Sequence, residues 1–566
     1  MRARDQGLSH DLSRRQEPNA PGHARNAPLI AALPKSPSSI IDQSVRHAVS
    51  SIASWPAEAK DLPAVLVERT QNPTHGDYSV TLPLKLARTL RRPPMTIANE
   101  LAAAMALPPT FGRTTVAAPG FINVMLEAAW LQAQLASIVD AGDRWGSGEI
   151  GRGVKVQVEF VSANPTGPLL FSHARGAVVG DVTARILAAS GFEVQREYYV
   201  NDQGKQIRLL GESIRARLLD QPVPEGGYSG DYIAEIANEA TARAISPEPD
   251  RLSEFGVEWV QRRIQDDLAR LDVRHDQLFL ESSLYAGWDA ETMAKLSSLG
   301  RVAQHDGATW FKSDSGKDEV IIKRDGYPTY FWSDILYHRD KFEKRGFDRV
   351  VDVWGADHQG QVGRVREALA VLGIDPNRLA VLLVQLVSVK RGEETVRMSR
   401  RAGVGISLKE MLDEVGPDAV RYFFLLRSAD AQMEFDVELA RRQSSENPVY
   451  YAQYAHARLA NVLTFGAGVS AGPALARLDS EWELELMRVM LRWPDVVREA
   501  AEAREPHRLA FFTDELAAAI HRFYKNCRVV TDDAQLTAAR LLLSRAARTT
   551  IANALGLMGV AAPDRM

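Results

Sequence analysis

The chain of 566 residues has a single cysteine, Cys527. One thiol excludes an intramolecular disulfide framework and any zinc site built on several thiolates, and it makes a reducing, cytoplasmic compartment the expectation. Long apolar runs are missing too. The longest, LAVLLVQLVSV at 379–389, is about half of the ~20 residues that a membrane helix needs, so it is expected to be a buried strand and no membrane partner is expected. Nor does one sign of charge dominate: the formal net charge is −4, with 25% charged and 45% hydrophobic residues. Any nucleic-acid partner must then be met by a local basic surface. Residues 1–37 are rich in Arg, Pro, Ser, Asn and Ala and lack the apolar run of a secretory signal, while Asp5, Asp11 and Glu17 interrupt the basic character of a transit peptide. They are expected to be a disordered tail. No internal repeat is present.

What is there divides into several domains. Residues 38–130 carry a helix at SIIDQSVRHAVSSI, a strand at AVLVERT, a turn at NPTHGDYSV, a helix at LPLKLARTL and a closing edge strand in VAAPGFINVML, which together read as a small α+β domain. After the glycine-rich DRWGSGEIGRG, residues 154–162 alternate β-branched and polar side chains as a strand does. ANPTGP breaks that strand, SHARGAVVGDVTARILAASG is a helix, and FEVQREYYVND is the next strand. Strand, loop, helix and strand at this spacing make a βαβ unit, so a parallel sheet with nucleotide binding at its carboxyl edge is expected. Further strands at VIIKRDG, RVVDVWGAD and AVLLVQLVSV extend a doubly wound, Rossmann-like domain over 131–420, with 210–300 as a charged helical insertion. Residues 421–566 read as an α-helical bundle.

Two clusters carry the chemistry. The turn holding Asn164, Pro165, Thr166 and Gly167 leads into a helix that starts near Ser172-His173 and continues through Gly176. Backbone N–H groups and the helix dipole there attract phosphate, and a first-turn histidine can donate to a phosphate oxygen. Taken alone, a histidine at a helix start is more often a cap or a packed residue. The second cluster, RGEETVRMSRRAG at 391–403, sets Arg397, Arg400 and Arg401 around Met398-Ser399. Such a basic, glycine-ended segment suits a polyphosphate whose charge builds as pyrophosphate leaves, although by itself it fits a solvated turn. Gly355, Asp357 and His358 in GADH follow a strand. No third ligand stands at a fitting spacing, so no metal site is expected.

In this order, the two clusters resemble the two signatures of class I aminoacyl-tRNA synthetases. More closely, VEFVSANPTGP, SHARGAVVGD, REYYVNDQGKQI, YPTYFWSDILYH, WGADHQG, RMSRRAG, NPVYYAQYAHARL and GLMGVAAPDRM resemble arginyl-tRNA synthetases, from about residue 40 to Met566. The resemblance implies a class I catalytic domain, an N-terminal domain at the tRNA elbow and a DALR-type anticodon-binding bundle. It implies ATP with Mg²⁺, L-arginine and tRNA(Arg) as partners of a monomer, and the activity of an arginine–tRNA ligase. His173, Arg397, Ser399 and Arg400 would be catalytic. Thr166, Gly167, Ser172, His173, Gly176, Gly355, Asp357, His358 and Met398 would line the ATP site. Glu159 and Asn164 match positions that hold the amino acid; Tyr330 and Asp334, spaced to share one helical face, match those that grip the guanidinium. Phe121, Asn123, Tyr451 and Arg458 would touch tRNA.

The chain departs from the family's His-x-Gly-His, reading Leu170-Phe171-Ser172-His173, and it carries Arg397 and Arg400 where lysines are common. Leucine cannot donate to a phosphate, and serine sets a side chain where glycine leaves adenine a flat backbone. Two readings follow. One is a working ligase with an altered nucleotide site. The other is a synthetase-like protein that binds tRNA or arginine without efficient activation.

Overall fold

The computed structural model describes residues 35–63, 66–70, 72–392, 394–396 and 405–566. The expected tail falls almost wholly outside these residues, but its last three, 35–37, do not. Ser36 caps the helix Pro37–Ser51, its hydroxyl accepting from the Ser39 N–H at 3.2 Å. The same hydroxyl donates to Asp495 Oδ1 at 2.7 Å. The first domain therefore starts before residue 38 and is tied by its cap to the C-terminal bundle. Its sheet runs Val67–Arg69, Tyr78–Val80, Phe121–Leu126, Gly112–Ala117, antiparallel throughout. Pro37–Ser51, Leu82–Leu90 and Pro94–Ala104 accompany it. Of these, Pro94–Ala104 has no counterpart in the sequence reading.

The helix Ala128–Ala141 and the turn after it lie against the bundle. Gln132 donates to the Leu478 carbonyl at 3.1 Å, and Asn553 donates to those of Gly142 and Trp145, each at 2.9 Å. The stretch read as the opening of the catalytic domain thus links the first domain to the last.

At the centre lies a five-stranded sheet in the order Leu379–Val384, Arg349–Gly355, Lys155–Glu159, Glu193–Val200, Gln277–Leu280, parallel at every pairing. The chain builds outward from Lys155–Glu159 in one direction and then returns to build in the other. The switch point falls between Lys155–Glu159 and Arg349–Gly355, where a doubly wound sheet opens its binding crevice. The helix Phe171–Ala189 crosses between the first two strands of the unit and is buried on nearly every side, Val178, Val182 and Ile186 included. Gly180 lets it approach the sheet: a Cβ there would lie 2.3 Å from the Phe160 ring.

Three expectations are corrected. Gln277–Leu280 is a strand of the central sheet within the segment read as helical; it is a four-residue edge strand with Leu278 and Leu280 exposed, which leaves no alternation to read. The run VIIKRDG does not extend the parallel sheet. Its strand Glu319–Ile322 belongs to a separate antiparallel sheet with Ala308–Phe311 and Val302–His305. There the Asp306-Gly307 pair, both at positive φ, closes a hairpin of the kind that Asp-Gly favours. Finally, the apolar run at 379–389 is two strands. Leu379–Val384 stays in the parallel sheet, whereas Val387–Arg391 pairs with Glu394–Val396 and Met433–Asp436. The break falls at Leu386, which is 80% exposed.

The last domain packs Pro448–Phe465, Glu481–Met490, Trp493–Ala503, His507–Asn526 and Ala534–Leu557 into a bundle. Between it and the sheet, the helices Leu408–Val415 and Pro417–Phe424 lie on Phe171–Ala189. Arg421 locks this junction. Fully buried, it donates to the carbonyls of Met558 (2.7 Å) and Leu271 (2.8 Å) and to Asp181 Oδ2 (2.5 Å). A charge so deep persists only where its donors are all engaged.

Candidate active site

The strand Lys155–Glu159 ends in strained backbone. Val161 (φ 71°) and Ser162 (φ 39°) both lie in the left-handed region, which is costly for a β-branched residue and recurs at functional sites. The Ser162 hydroxyl holds the kink, donating to Glu159 Oε1 at 2.9 Å while accepting from the Tyr199 N–H at 3.1 Å. Beyond it, Asn164 is exposed and donates to Gln206 Oε1 at 2.8 Å; the Thr166 carbonyl accepts from Tyr232 OH at 2.8 Å, beside Gly167. The helix begins at Phe171, with Ser172, His173 and Gly176 half-buried. The Leu170 N–H donates to His173 Nδ1 at 3.2 Å, and a Cβ on Gly176 would meet open space.

Arg397, Met398, Ser399 and Arg400 lie outside the described residues. The backbone on the far side of their segment is fixed against the nucleotide turn: Phe171 N–H donates to the Ile406 carbonyl at 2.9 Å, and Leu408 N–H to that of Leu169 at 2.8 Å. Leu170 itself packs over Gly405, where a Cβ would come 3.1 Å from its Cδ2. Across the switch point, Gly355 ends its strand and Asp357 and His358 follow in an exposed turn. Among the described residues no group of His, Cys, Asp and Glu is placed to hold a metal ion, and no helix is long and apolar enough to cross a membrane.

Carboxylates gather beside the kink. The helix Tyr330–Arg339 presents Tyr330, 65% exposed, and one turn later Asp334. Burial pushes the Asp334 carboxyl up to about 6; Glu159 and Asp352 add to the rise and His338 opposes it. Glu281, at the carboxyl end of the edge strand, accepts from Ser333 Oγ at 2.8 Å, and Ser333 is also 2.8 Å from Tyr285 OH. Burial, then Asp202 and Asp334, raise Glu281 against the hydrogen bond from Ser333. Glu159 is different, because Lys341 Nζ lies 2.7 Å from its Oε2. That ammonium also meets Asp352 Oδ1 at 2.8 Å. Burial still leaves Glu159 above the ordinary carboxylate range, whereas Asp352, facing both Lys341 and His338, is held low against its burial.

The structure thus brings Glu159, Asp334, Asn164 and the His173 turn to the carboxyl edge of one sheet. Glu281, Ser333 and Lys341 escaped the sequence reading. An acid at the end of a strand would have marked Glu281, had that strand been recognised. Of the residues expected at tRNA, Phe121 is half-buried and Asn123 is buried in its sheet between Ser79 and Thr115, which argues against direct contact by Asn123. Tyr451 and Arg458 lie half-buried on one helix of the bundle. Tyr451 packs against His521 with ring centres 4.3 Å apart and the rings tilted by 43°, and the Arg458 guanidinium lies 4.3 Å from the Tyr454 ring centre.

A doubly wound catalytic core with a nucleotide turn at its switch point, an added α+β domain and a helical bundle define the class I synthetase architecture. Family descriptions match the chain in three parts: the arginyl-tRNA synthetase N-terminal domain at 39–126, the class I (R) tRNA synthetase catalytic domain at 136–223 and 248–458, and the DALR anticodon-binding domain at 452–566. The arginine–tRNA ligase of Moorella thermoacetica is 44% identical over 530 residues, covering 89% of this chain and 94% of the relative. That of Geobacillus kaustophilus is 43% identical over 534 residues, covering 90% and 96%. Among solved structures, a Campylobacter jejuni protein described as a putative arginyl-tRNA synthetase superposes with a TM-score of 0.71 at 33% identity, covering 78% of this chain and all of that one. The Thermus thermophilus arginyl-tRNA synthetase, at 23% identity and a TM-score of 0.76 over 94% of this chain and 100% of that one, shares the fold. The chain belongs to the arginyl-tRNA synthetase family.

Proposed function

We propose that the chain is an ATP-dependent arginine–tRNA ligase with an altered nucleotide turn. The observation that carries the substrate is the pairing of two carboxylates, Asp334 and Glu281, whose ionisation burial resists. A guanidinium offers planar donors to both and relieves their desolvation by supplying the missing charge. Tyr330 stands over the entrance one turn before Asp334, and Asn164 and Glu159 serve the α-amino end of the substrate.

The substrate carboxylate attacks the α-phosphorus of ATP, giving arginyl-adenylate and pyrophosphate. The terminal hydroxyl of tRNA(Arg) then displaces AMP. Mg²⁺ enters on the phosphates as part of the substrate. His173 Nδ1 lies 3.2 Å from both the N–H and the carbonyl oxygen of Leu170, and the ring's Nε2, when it carries a proton, can donate to a phosphate oxygen. Thr166, Gly167 and Gly176 leave space for phosphates at the helix N-terminus, and Gly355, Asp357 and His358 border the adenosine. The Arg397, Met398, Ser399 and Arg400 segment answers the charge of the departing pyrophosphate. The same reading takes Phe121 and the Tyr451–Arg458 face as tRNA contacts. It takes the protein as a cytoplasmic monomer, in keeping with its lone buried thiol, with domains near 38–130, 131–420 and 421–566.

In the first signature Leu170 and Ser172 replace a donor and a glycine, so the turn keeps one of two imidazoles. This favours a slow ligase, and it also supports a second reading, an arginine- or tRNA-binding protein that activates poorly. Charging of tRNA with labelled arginine decides between them: product above background supports the ligase, and arginine binding with no product supports the second reading.

A further inference from the structure

One wholly buried cation has no part in the steps above. Lys341 sits in the π-helical turn Asp340–Lys344, directly after the helix Tyr330–Arg339. A π turn inserts a residue into a helix, and it recurs at functional sites. Here it brings Nζ beneath the carboxyl end of the sheet, 2.7 Å from Glu159 Oε2, 2.8 Å from Asp352 Oδ1 and 4.0 Å from the centre of the Tyr337 ring.

His338 Nδ1 lies 2.7 Å from the Asp334 carbonyl oxygen, and its Nε2 lies 2.6 Å from Asp352 Oδ2. Asp352 is thus held by both the imidazole and Lys341, whereas Glu159 has Lys341 as its ion-pair partner. A buried charge without its counter-charge is strongly disfavoured, so the Glu159 carboxylate depends on that ammonium.

We propose that Lys341 is a positioning residue for the amino-acid substrate: it keeps the Glu159 carboxylate charged and in place, so that the α-ammonium of arginine meets an anion. This rests on the pocket being an arginine site. Without the ammonium, Glu159 would share its surroundings with the carboxylates of Asp352 and Asp334. Burial and like charge would then put a proton on Glu159 at neutral pH, and alkaline pH would remove it. The Tyr199 and Tyr337 phenols beside Glu159 are raised by burial and stay protonated from pH 7 to 9.

The test is Lys341→Met in the full chain, read by arginine binding in a calorimeter and by the KM for arginine and for ATP during tRNA charging. At pH 7 arginine affinity should fall by about tenfold to a hundredfold, the worth of a charge-assisted contact. The KM for ATP should move by less than about threefold, and the arginine defect should shrink by pH 9. Lys341→Arg keeps the charge and should restore the parent's pH profile; Glu159→Gln should lose arginine affinity relative to the parent at every pH. Should the methionine variant not fold, Lys341→Gln carries the same expectation. Asp352→Asn, which leaves Lys341 wholly to Glu159, should follow the parent's pH profile for arginine binding, and an alkaline-recovering defect there would overturn the proposal. So would an unchanged arginine affinity in folded Lys341→Met beside a weakened Glu159→Gln, and that result would leave the arginine site standing. If the unmodified chain neither binds nor charges arginine, the site reading itself fails.

Discussion

Replacing Asp334 by asparagine keeps the shape of the proposed guanidinium pocket and removes its most accessible charge. Burial, with Glu159 and Asp352 close by, pushes the Asp334 carboxyl up to about 6 against the opposing influence of His338 and His358. The bound guanidinium favours the ionised form. Arginine affinity should therefore be level above pH 7 and should fall by about tenfold per pH unit below pH 6. Asp334→Asn loses a charge-assisted hydrogen bond of about 1.5–3 kcal/mol, or about tenfold to 150-fold in affinity at pH 8. Its acid limb should also weaken and shift, because Glu281, likewise raised by burial, is the carboxylate left to titrate against the guanidinium. Equilibrium binding of arginine between pH 5 and 8.5 reads both effects without involving the ATP site. A variant that binds within threefold of the parent at pH 8, or one that keeps the same acid limb, would refute the assignment of Asp334.

Restoring both signature positions, Leu170→His with Ser172→Gly, should raise kcat/KM for ATP by more than tenfold, since one preorganised donor is worth about 10²–10³; a gain of tenfold or less contradicts the account of the turn. His275 is held down to about 4 by burial between Phe160 and Tyr198, so the native state favours its neutral form. Its contribution is whole above the unfolded value near 6.5 and is lost as pH falls toward 4, by up to about 3 kcal/mol. Urea unfolding at pH 7 and pH 4.5 should show a smaller drop in His275→Phe than in the parent, and equal drops refute this. Gly180→Ala would force a Cβ to 2.3 Å from the Phe160 ring and should cost about 1–3 kcal/mol. Gly176→Ala on the same helix meets open space and should melt no lower than the parent, so equal melting of the two variants would contradict the packing argument.

Much of the architecture could be read from the residues alone. The βαβ unit at 154–201 is legible because alternation, a Pro-Gly break and a small-residue helix follow one another at fixed spacing. Gln277–Leu280 is not legible, because an edge strand of four residues carries no period and its acid, Glu281, is lost with it. The division of 379–389 was hidden for the opposite reason. Both halves are apolar, and the turn between them holds Leu386, which gives no breaker signal. Asp334 and Glu159 could be picked out by type and position, yet their difference could not. It lies in Lys341, a residue 182 positions from Glu159, which reaches it only because of a π turn that no propensity marks. The proposed departures from the first signature, at Leu170 and Ser172, are read in the sequence. Only the fold shows Leu170 seated on Gly405, beside the segment that carries the second signature.

The most direct measurement is the attachment of labelled arginine to the 3′ end of tRNA(Arg) by the full chain with ATP and Mg²⁺, with lysine and citrulline run beside it. The account predicts slow charging that is specific to arginine and depends on ATP. No charging above background, under conditions where the chain binds arginine, would contradict the ligase and leave a binding protein in its place.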